Sequence, residues 1–274
     1  MHLTGPDAPL SPSSAPQSRP AAAPAWSDAD LAQSPHVRSD KPERVRRMFA
    51  AIAKSYDLNN RVHSLWQDQA WRRFAVRWSG LKPTDAVLDV ACGTGDLSEA
   101  FARAGAASVI GLDFTYEMLE VAGHKAGTRP ANWNTARIAY IQGDAQELPI
   151  ADASVDVVSI AFGIRNVLEP SRAALEFRRV LRPGGRLVVL EFAEPRFPPV
   201  RWFNALYCRR IMPVTATLIA GDKSGAYKYL PKSVQTFMSP EQMSAMLSAA
   251  GFVDIQHRSL SLGICTCYRA FVPG

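Results

Sequence analysis

The chain has only four cysteines in 274 residues, Cys92, Cys208, Cys265 and Cys267, and only the last two lie close together. That C-x-C pair fits neither a zinc site nor a disulfide framework, so a reducing, cytoplasmic compartment is expected. Histidine is nearly as sparse, with five in all, and no cluster of histidines and carboxylates has metal-ligand spacing. No metal is therefore expected. A run of about eighteen apolar residues is also missing, which excludes a helix that spans a bilayer. There is no internal repeat and no recognisable nucleic-acid-binding module, so nucleic acid is not the expected partner despite a net charge of +6. The basic balance then favours another anionic partner, such as an acidic membrane surface.

A hydrophobic content of 47% with 20% charge is enough for a sizeable globular core. Residues 1–40 stand apart. They hold Pro6, Pro9, Pro12, Pro16, Pro20, Pro24 and Pro35 among Ser and Ala, with no apolar period and no signal-peptide h-region. This composition predicts a disordered tail, followed by one domain over residues 41–274. From residue 42 helical spacing begins, with Val45, Met48, Phe49 and Ile52, then Leu65, Trp66, Trp71, Phe74 and Val76. Strand-like segments follow at 86–91, 108–113, 138–144, 155–162 and 186–192, with helical patterns between them. Near-continuous apolar strands alternating with helices predict an α/β fold, a mostly parallel sheet covered by helices on both faces. Near the C-terminus, SPEQMSAMLSAAGF reads as a helix with Ser239 at its N-cap and Pro240 at N1. The last two strand candidates, VDIQHRSL and GICTCYRAF, are joined by a short turn and can pair only as an antiparallel hairpin.

The first strand runs into VLDVACGTGDL, where Gly93, Thr94 and Gly95 form a turn that lets a ligand approach the backbone. An acid about 20 residues on, Asp113, ends the second strand, where a carboxylate can accept both hydroxyls of a ribose. The third glycine of a dinucleotide loop is replaced by Ser98, and Asp96 puts negative charge where a pyrophosphate would lie. S-adenosyl-L-methionine, which has a ribose but no phosphate, suits this loop better than a nicotinamide dinucleotide. Asp144 and Ala145 end the third strand, placed to meet an adenine through a carboxylate and a backbone N–H. Three strand ends thus converge on the edge where open α/β sheets bind ligands.

The strings LDVACGTGD, GLDFTYEML, GDAQELPIADASVDVVSIAFGIRNV and RVLRPGGRLVVLEF carry a resemblance that covers residues 42–274. The chain resembles the quinone-biosynthesis C-methyltransferases that methylate demethylmenaquinol and 2-polyprenyl-6-methoxy-benzoquinol. AFGIRNV, SYDLNN and GAYKYLPKSVQTF are its narrower part. The resemblance implies a Rossmann-like, seven-stranded sheet and S-adenosyl-L-methionine as cofactor, contacted by Thr94, Asp113, Asp144 and Ala145. It also brings in Ala161, which stands where the family often has serine. The chain departs from the family's usual pattern at Asp68 and Gln69, where relatives carry a His-Arg pair, and at Tyr268, where a histidine is frequent.

Such a reaction needs an electron-rich ring carbon, which a phenol supplies once its hydroxyl loses a proton. Arg165, just past the fourth strand, is expected to stabilise the phenolate, with Asn166 helping to hold a water and Tyr56 closing the pocket. The segment at 197–230 interleaves Arg201, Arg209 and Arg210 with large apolar residues and no acid before Asp222. It is expected to form a lid, or a surface that meets an acidic membrane on the cytoplasmic side. The expected activity is methylation of demethylmenaquinol to menaquinol, with the methoxy-benzoquinol as the alternative acceptor and a homodimer left open. Two other classes share parts of this pattern: an NAD(P)-dependent oxidoreductase and a non-catalytic scaffold of a quinone-synthesis assembly.

Overall fold

The computed structural model describes residues 24–212, 214–215 and 224–274. The first 23 residues of the expected tail and part of the 197–230 segment lie outside the described residues. Seven strands form one sheet: β1 (Ala86–Val90), β2 (Ser108–Asp113), β3 (Ile138–Gln142), β4 (Val155–Ala161), β5 (Leu181–Phe192), β6 (Val253–Leu260) and β7 (Cys265–Phe271). Their order is β3-β2-β1-β4-β5-β7-β6. The first five are parallel, and β7 runs antiparallel to both β5 and β6. The expected parallel sheet with an antiparallel C-terminal hairpin is thus observed.

The helices are α1 (Lys41–Ile52), α2 (Tyr56–Ser64), α3 (Gln67–Trp78), α4 (Asp96–Arg103), α5 (Tyr116–Thr128), α6 (Pro170–Val180), α7 (Pro198–Leu206), α8 (Ala226–Gln235) and α9 (Pro240–Ala249). Against the sheet, Phe177 of α6 and Leu247 of α9 pack in one cluster with Val158 and Leu187. Phe101 of α4 and Val76 of α3 pack in another with Val87 and Val157. Helices on both faces explain why the central strands read as unbroken apolar runs rather than alternating ones. Phe101 and Phe177 are each almost wholly buried, a burial worth about 2 kcal/mol per side chain. Helix α9 starts as the sequence predicts. The Ser239 hydroxyl accepts from the Gln242 N–H, and the Gln242 side chain accepts from the Ser239 N–H at 2.8 Å.

Residues 24–40 correct the expectation of a tail that runs to residue 40. Trp26 is 1% exposed and stacks on Tyr229 of α8, with ring centroids 4.6 Å apart. Its backbone N–H donates to the Ser224 carbonyl, and Arg44 donates to the Ala25 carbonyl at 2.8 Å. His36 lies 2.8 Å from the Ser233 carbonyl through Nε2. Lys41 Nζ donates to the Val167 carbonyl at 2.6 Å. Local composition does not reveal this strap because the surface that receives Trp26 is built some 200 residues away, at Tyr229.

Candidate active site

The strand order reverses between β1 and β4, since β2 and β3 lie on one side of β1 and β4 and β5 on the other. At such a switch point the loops leaving the carboxyl ends diverge and open a crevice. Here the crevice encloses about 770 Å³ of empty space, part of it open to solvent. Its walls include Tyr56, Gly93, Asp113, Asp144, Ala145, Ala161 and Asn166, so seven of the expected site residues meet in one place. A smaller polar arm of about 300 Å³ adjoins it and shares Tyr56, Ala91, Gly93 and Ala161 as walls.

Each wall residue is set by its local chain. Asp113 accepts from the Gly93 N–H at 2.7 Å through Oδ2 and from the Thr115 N–H at 2.8 Å through Oδ1. Burial raises its carboxyl above the usual range, and these backbone donors oppose that rise. The Thr115 hydroxyl and the Phe114 N–H also hydrogen-bond to this carboxylate. Asp144 is held by the Gln146 N–H at 2.9 Å. Thr94 faces the polar arm rather than the main crevice, and its hydroxyl donates to Asp57. Gly95 belongs to the turn but lines neither space. Its φ of +84° and the packing of Tyr140 against it account for the glycine, because a Cβ there would strike the Tyr140 hydroxyl.

The place of a third loop glycine is taken by Ser98, whose hydroxyl donates to Asp89 Oδ2 at 2.6 Å while Ser159 donates to Oδ1 at 2.8 Å. Burial pushes the Asp89 carboxyl up to about 6, against these two hydrogen bonds. Asp96 is the first residue of α4, so a carboxylate occupies the helix end that would receive a pyrophosphate. Burial acts to raise its pKa, but the charges of Arg72, Lys125 and Arg61 outweigh that and hold it below the usual range. Among the described residues lining the main crevice there is no lysine or arginine. These features fit a phosphate-free nucleoside and oppose a dinucleotide.

Arg165 stands elsewhere than expected. It is 5% exposed and absent from the described residues lining the crevice. Its Nη1 donates to Glu191 Oε1 at 2.6 Å and to the Phe162 carbonyl at 2.7 Å. The ion pair pins the turn that presents Asn166. Asn166 lines the crevice, donating to the Phe162 carbonyl at 3.2 Å and accepting from the Tyr229 hydroxyl at 2.9 Å. His63 is off the crevice wall, 3.1 Å from the Tyr207 hydroxyl.

Sequence reasoning missed Arg72 and Asp89 as wall residues of the polar arm. The departures at Asp68 and Gln69 belong beside them. Asp68 pairs with Arg61 at 3.0 Å and Arg72 at 2.8 Å, and Gln69 donates to both Asp68 and Asp96. The signal was the i, i+4 spacing of Asp68 and Arg72 on one helix face. Among the described residues no group of three or more metal-ligating side chains could hold an ion.

Comparison with known proteins agrees with this geometry. The chain is 42% identical to the ubiquinone/menaquinone biosynthesis C-methyltransferase UbiE of Geotalea daltonii, over 84% of this chain and 97% of that one. It is 40% identical to the demethylmenaquinone methyltransferase of Renibacterium salmoninarum, over 85% and 94% of the two chains. The corresponding enzyme of Deinococcus radiodurans is 42% identical, over 83% and 92%. Among solved structures, the [4+2]-cyclase SpnF superposes with a TM-score of 0.63 at 18% identity, over 85% of this chain and 96% of that one. An S-adenosylmethionine-dependent methyltransferase from Aquifex aeolicus gives 0.57 at 18%, over 81% and 98%. Those two likenesses speak to the fold alone, and the cyclase shows that this fold does not dictate one reaction. The family model described as the ubiE/COQ5 methyltransferase family matches residues 37–271, and the chain belongs to that family.

Proposed function

We propose that this protein transfers a methyl group from S-adenosyl-L-methionine to a ring carbon of a polyprenyl hydroquinol, with demethylmenaquinol as the acceptor. One observation carries the reading. The crevice joins a wall suited to a phosphate-free nucleoside, Asp113 and Asp144, to an apolar wall of Val45, Phe49 and Leu168 that ends at the phenol of Tyr56 and the amide of Asn166. The names of the relatives support the choice of acceptor.

The bound cofactor supplies an electrophilic methyl group, and the chain's own residues make the ring nucleophilic and exclude competing water. Burial raises the Tyr56 phenol, while the charges of Arg72 and Arg165 oppose the rise. Tyr56 therefore stays protonated near neutral pH and serves as a donor, not a base. The same two guanidinium charges favour a phenolate beside it. Asn166 offers its remaining amide N–H as a second donor, fixed in place by Tyr229 and Phe162. The Arg165–Glu191 pair acts as a positioning element, holding the turn that presents Asn166. Apart from Tyr56, the only titratable side chains among the described lining residues are Asp113 and Asp144, both on the cofactor wall. The hydroxyl proton thus leaves to solvent water.

The acceptor's tail belongs in a bilayer, and the surface provides for contact with one. Trp202 and Phe203 of α7 are 68% and 62% exposed, and Leu65 and Trp66, in the turn between α2 and α3, are 79% and 61% exposed. The Tyr207 hydroxyl lies 3.1 Å from His63 and ties the two elements together. Exposed Arg201 and Arg210 supply charge for anionic headgroups. Among the described residues no helix is long and apolar enough to cross a membrane.

The test is incubation with cofactor and each reduced acceptor, followed by mass spectrometry of the quinols. The reading expects a singly methylated product with demethylmenaquinol at the higher kcat/KM. Preference for the methoxy-benzoquinol would transfer the assignment to that acceptor. No product with either, despite cofactor binding, would favour the scaffold.

A further inference from the structure

Behind the acceptor wall lies a buried cation that no carboxylate balances. Lys41, the first residue of α1, is 1% exposed, and its Nζ donates to the Val167 carbonyl at 2.6 Å. Val167 lines the crevice, as do Asn166 and Leu168 on either side of it and, on α1, Pro42 and Val45. The ammonium therefore stands one peptide group behind the wall.

The groups around Lys41 leave its charge uncompensated. On the strap, His36 turns Nδ1 to the ammonium at 3.2 Å and Nε2 to the Ser233 carbonyl, and burial pushes its pKa down to about 4, so it is a neutral acceptor. On the turn after β4, Arg165 is cationic but is met by Glu191 of β5 at 2.6 Å. Tyr229 of α8 keeps its proton, because burial pushes its phenol up to about 12, and donates it to Asn166. Asp40, next in the chain, is taken by Arg38 and Arg44. Helix α5 also packs on α1, with Met118 in one cluster with Val45 and Met48. Yet among the described residues the only charge that acts on Lys41 is that of Arg165, of like sign. Burial, and that charge after it, lowers the Lys41 ammonium to about 8, so it keeps its proton at neutral pH.

An unpaired buried charge is costly to a fold, and the hydrogen bonds to Val167 and His36 do not require one, since a neutral amide could donate in its place. A cation there has a use where an anion forms on the other side of the wall. The crevice supplies that place. Its acceptor end offers Tyr56 and Asn166 as donors, and among the described residues lining it there is no lysine or arginine to meet a phenolate directly. We propose that Lys41 stabilises the phenolate of the acceptor from behind the Val167 peptide, acting through space rather than by contact. The inference rests on the reading of the crevice as a quinol site, but not on which quinol it takes. An ammonium about 8 Å from a phenol, at an effective dielectric constant of about 20, lowers its pKa by roughly 0.5–1.5 pH units once screening is allowed for.

The experiment uses the full chain saturated with S-adenosylhomocysteine, and 4-nitro-1-naphthol, a two-ring phenol whose ionised form has its own absorption band. The pKa of the bound naphthol is read from absorbance against pH in three proteins: wild type, Lys41→Gln, which keeps an N–H donor without the charge, and Lys41→Arg, which keeps the charge. Lys41→Gln is expected to raise that pKa by about 0.5–1.5 pH units, because removing a cation disfavours the anion, and Lys41→Arg to keep most of the wild-type value. Methyl transfer to demethylmenaquinol should follow. The kcat of Lys41→Gln should fall about 3- to 30-fold at pH values below the phenol's pKa, the same shift expressed as a rate. The deficit should close as pH rises past about 8, where the wild type loses the Lys41 proton and solvent ionises the phenol unaided. Cofactor affinity should change by less than about twofold, since Lys41 is not among the residues lining either space.

A bound naphthol with the same pKa in Lys41→Gln and wild type would overturn the proposal. So would a loss of transfer in Lys41→Gln that is equal at every pH, the mark of a purely structural role. Were Lys41→Gln not to fold, the wild type decides: a naphthol that does not bind, or that is no more acidic when bound than in free solution, would refute the role. Wild-type protein that ionises the naphthol as expected yet methylates no quinol would remove the proposed function and leave the charge effect standing.

Discussion

Trp26→Ala tests whether the strap formed by residues 24–40 is part of the folded domain. Truncating a large buried aromatic costs about 3–5 kcal/mol when the surroundings cannot close. Two features of this site reduce the figure. Trp26 Nε1 is buried without a hydrogen-bond partner, so its removal relieves roughly 1–3 kcal/mol of desolvation. The strap can also lift off Tyr229 rather than keep a cavity. A net loss of about 1–3 kcal/mol follows, which for a domain of this size lowers the melting temperature by roughly 2–4 °C per kcal/mol. The effect should reach the active site, since Tyr229 loses its stacking partner and Asn166 depends on the Tyr229 hydroxyl. Turnover should therefore fall more than cofactor affinity. The assay is thermal unfolding of the full chain, the Trp26→Ala variant, and two truncations, one starting at residue 24 and the other at residue 41. The account expects the first truncation to match the full chain and the second to lose at least as much stability as Trp26→Ala. A chain starting at residue 41 with unchanged melting temperature and turnover would refute the reasoning.

Asp113→Ala should weaken S-adenosyl-L-methionine binding by about 1–3 kcal/mol and also lower stability, because the Gly93 and Thr115 N–H groups lose their acceptor. Unchanged affinity by calorimetry would remove Asp113 from the ribose. The raised pKa of Asp89, about 6, means the native state holds a proton there that the unfolded chain releases near pH 4. Stability from this group is full below pH 4 and is lost as pH rises through 6, so Asp89→Asn should be more stable than wild type by about 1–3 kcal/mol above pH 6, with the difference vanishing below pH 4. Denaturant titrations at pH 4 and 7 showing the same difference at both would contradict this. The double variant Trp66→Ser, Trp202→Ser should lose most of its co-sedimentation with vesicles of anionic lipid while methylating a short-chain quinol normally. Undiminished sedimentation would show that the membrane contact lies elsewhere.

The strands were legible because a sheet buried on both faces writes its signature in consecutive residues, as in AVLDV and SVIGLD. The helix at Pro240–Ala249 was legible through a cap confined to Ser239, Pro240 and Gln242. The insertion of β7 between β5 and β6 was not, because strand order is decided by pairing between distant segments. At the site, Asp113 and Asp144 could be placed because Asp113 closes β2 and Asp144 lies just past the end of β3. Arg165 was named, but its commitment to Glu191, 26 residues away, was not readable from GIRN. Arg72 was missed because its arm is assembled from α3, β1 and the loop after it, which meet only in three dimensions.

The central claim is methyl transfer to an electron-rich quinol carbon, and the redox state of the acceptor tests it most directly. An oxidised quinone ring is electron-poor and lacks an ionisable hydroxyl, so it has no nucleophile to offer. The measurement is transfer of labelled methyl from S-adenosyl-L-methionine to demethylmenaquinone held in anaerobic solution, with and without dithionite reduction. The account predicts carbon-methylated product only from the reduced acceptor. Equal rates from the oxidised and reduced forms would contradict it.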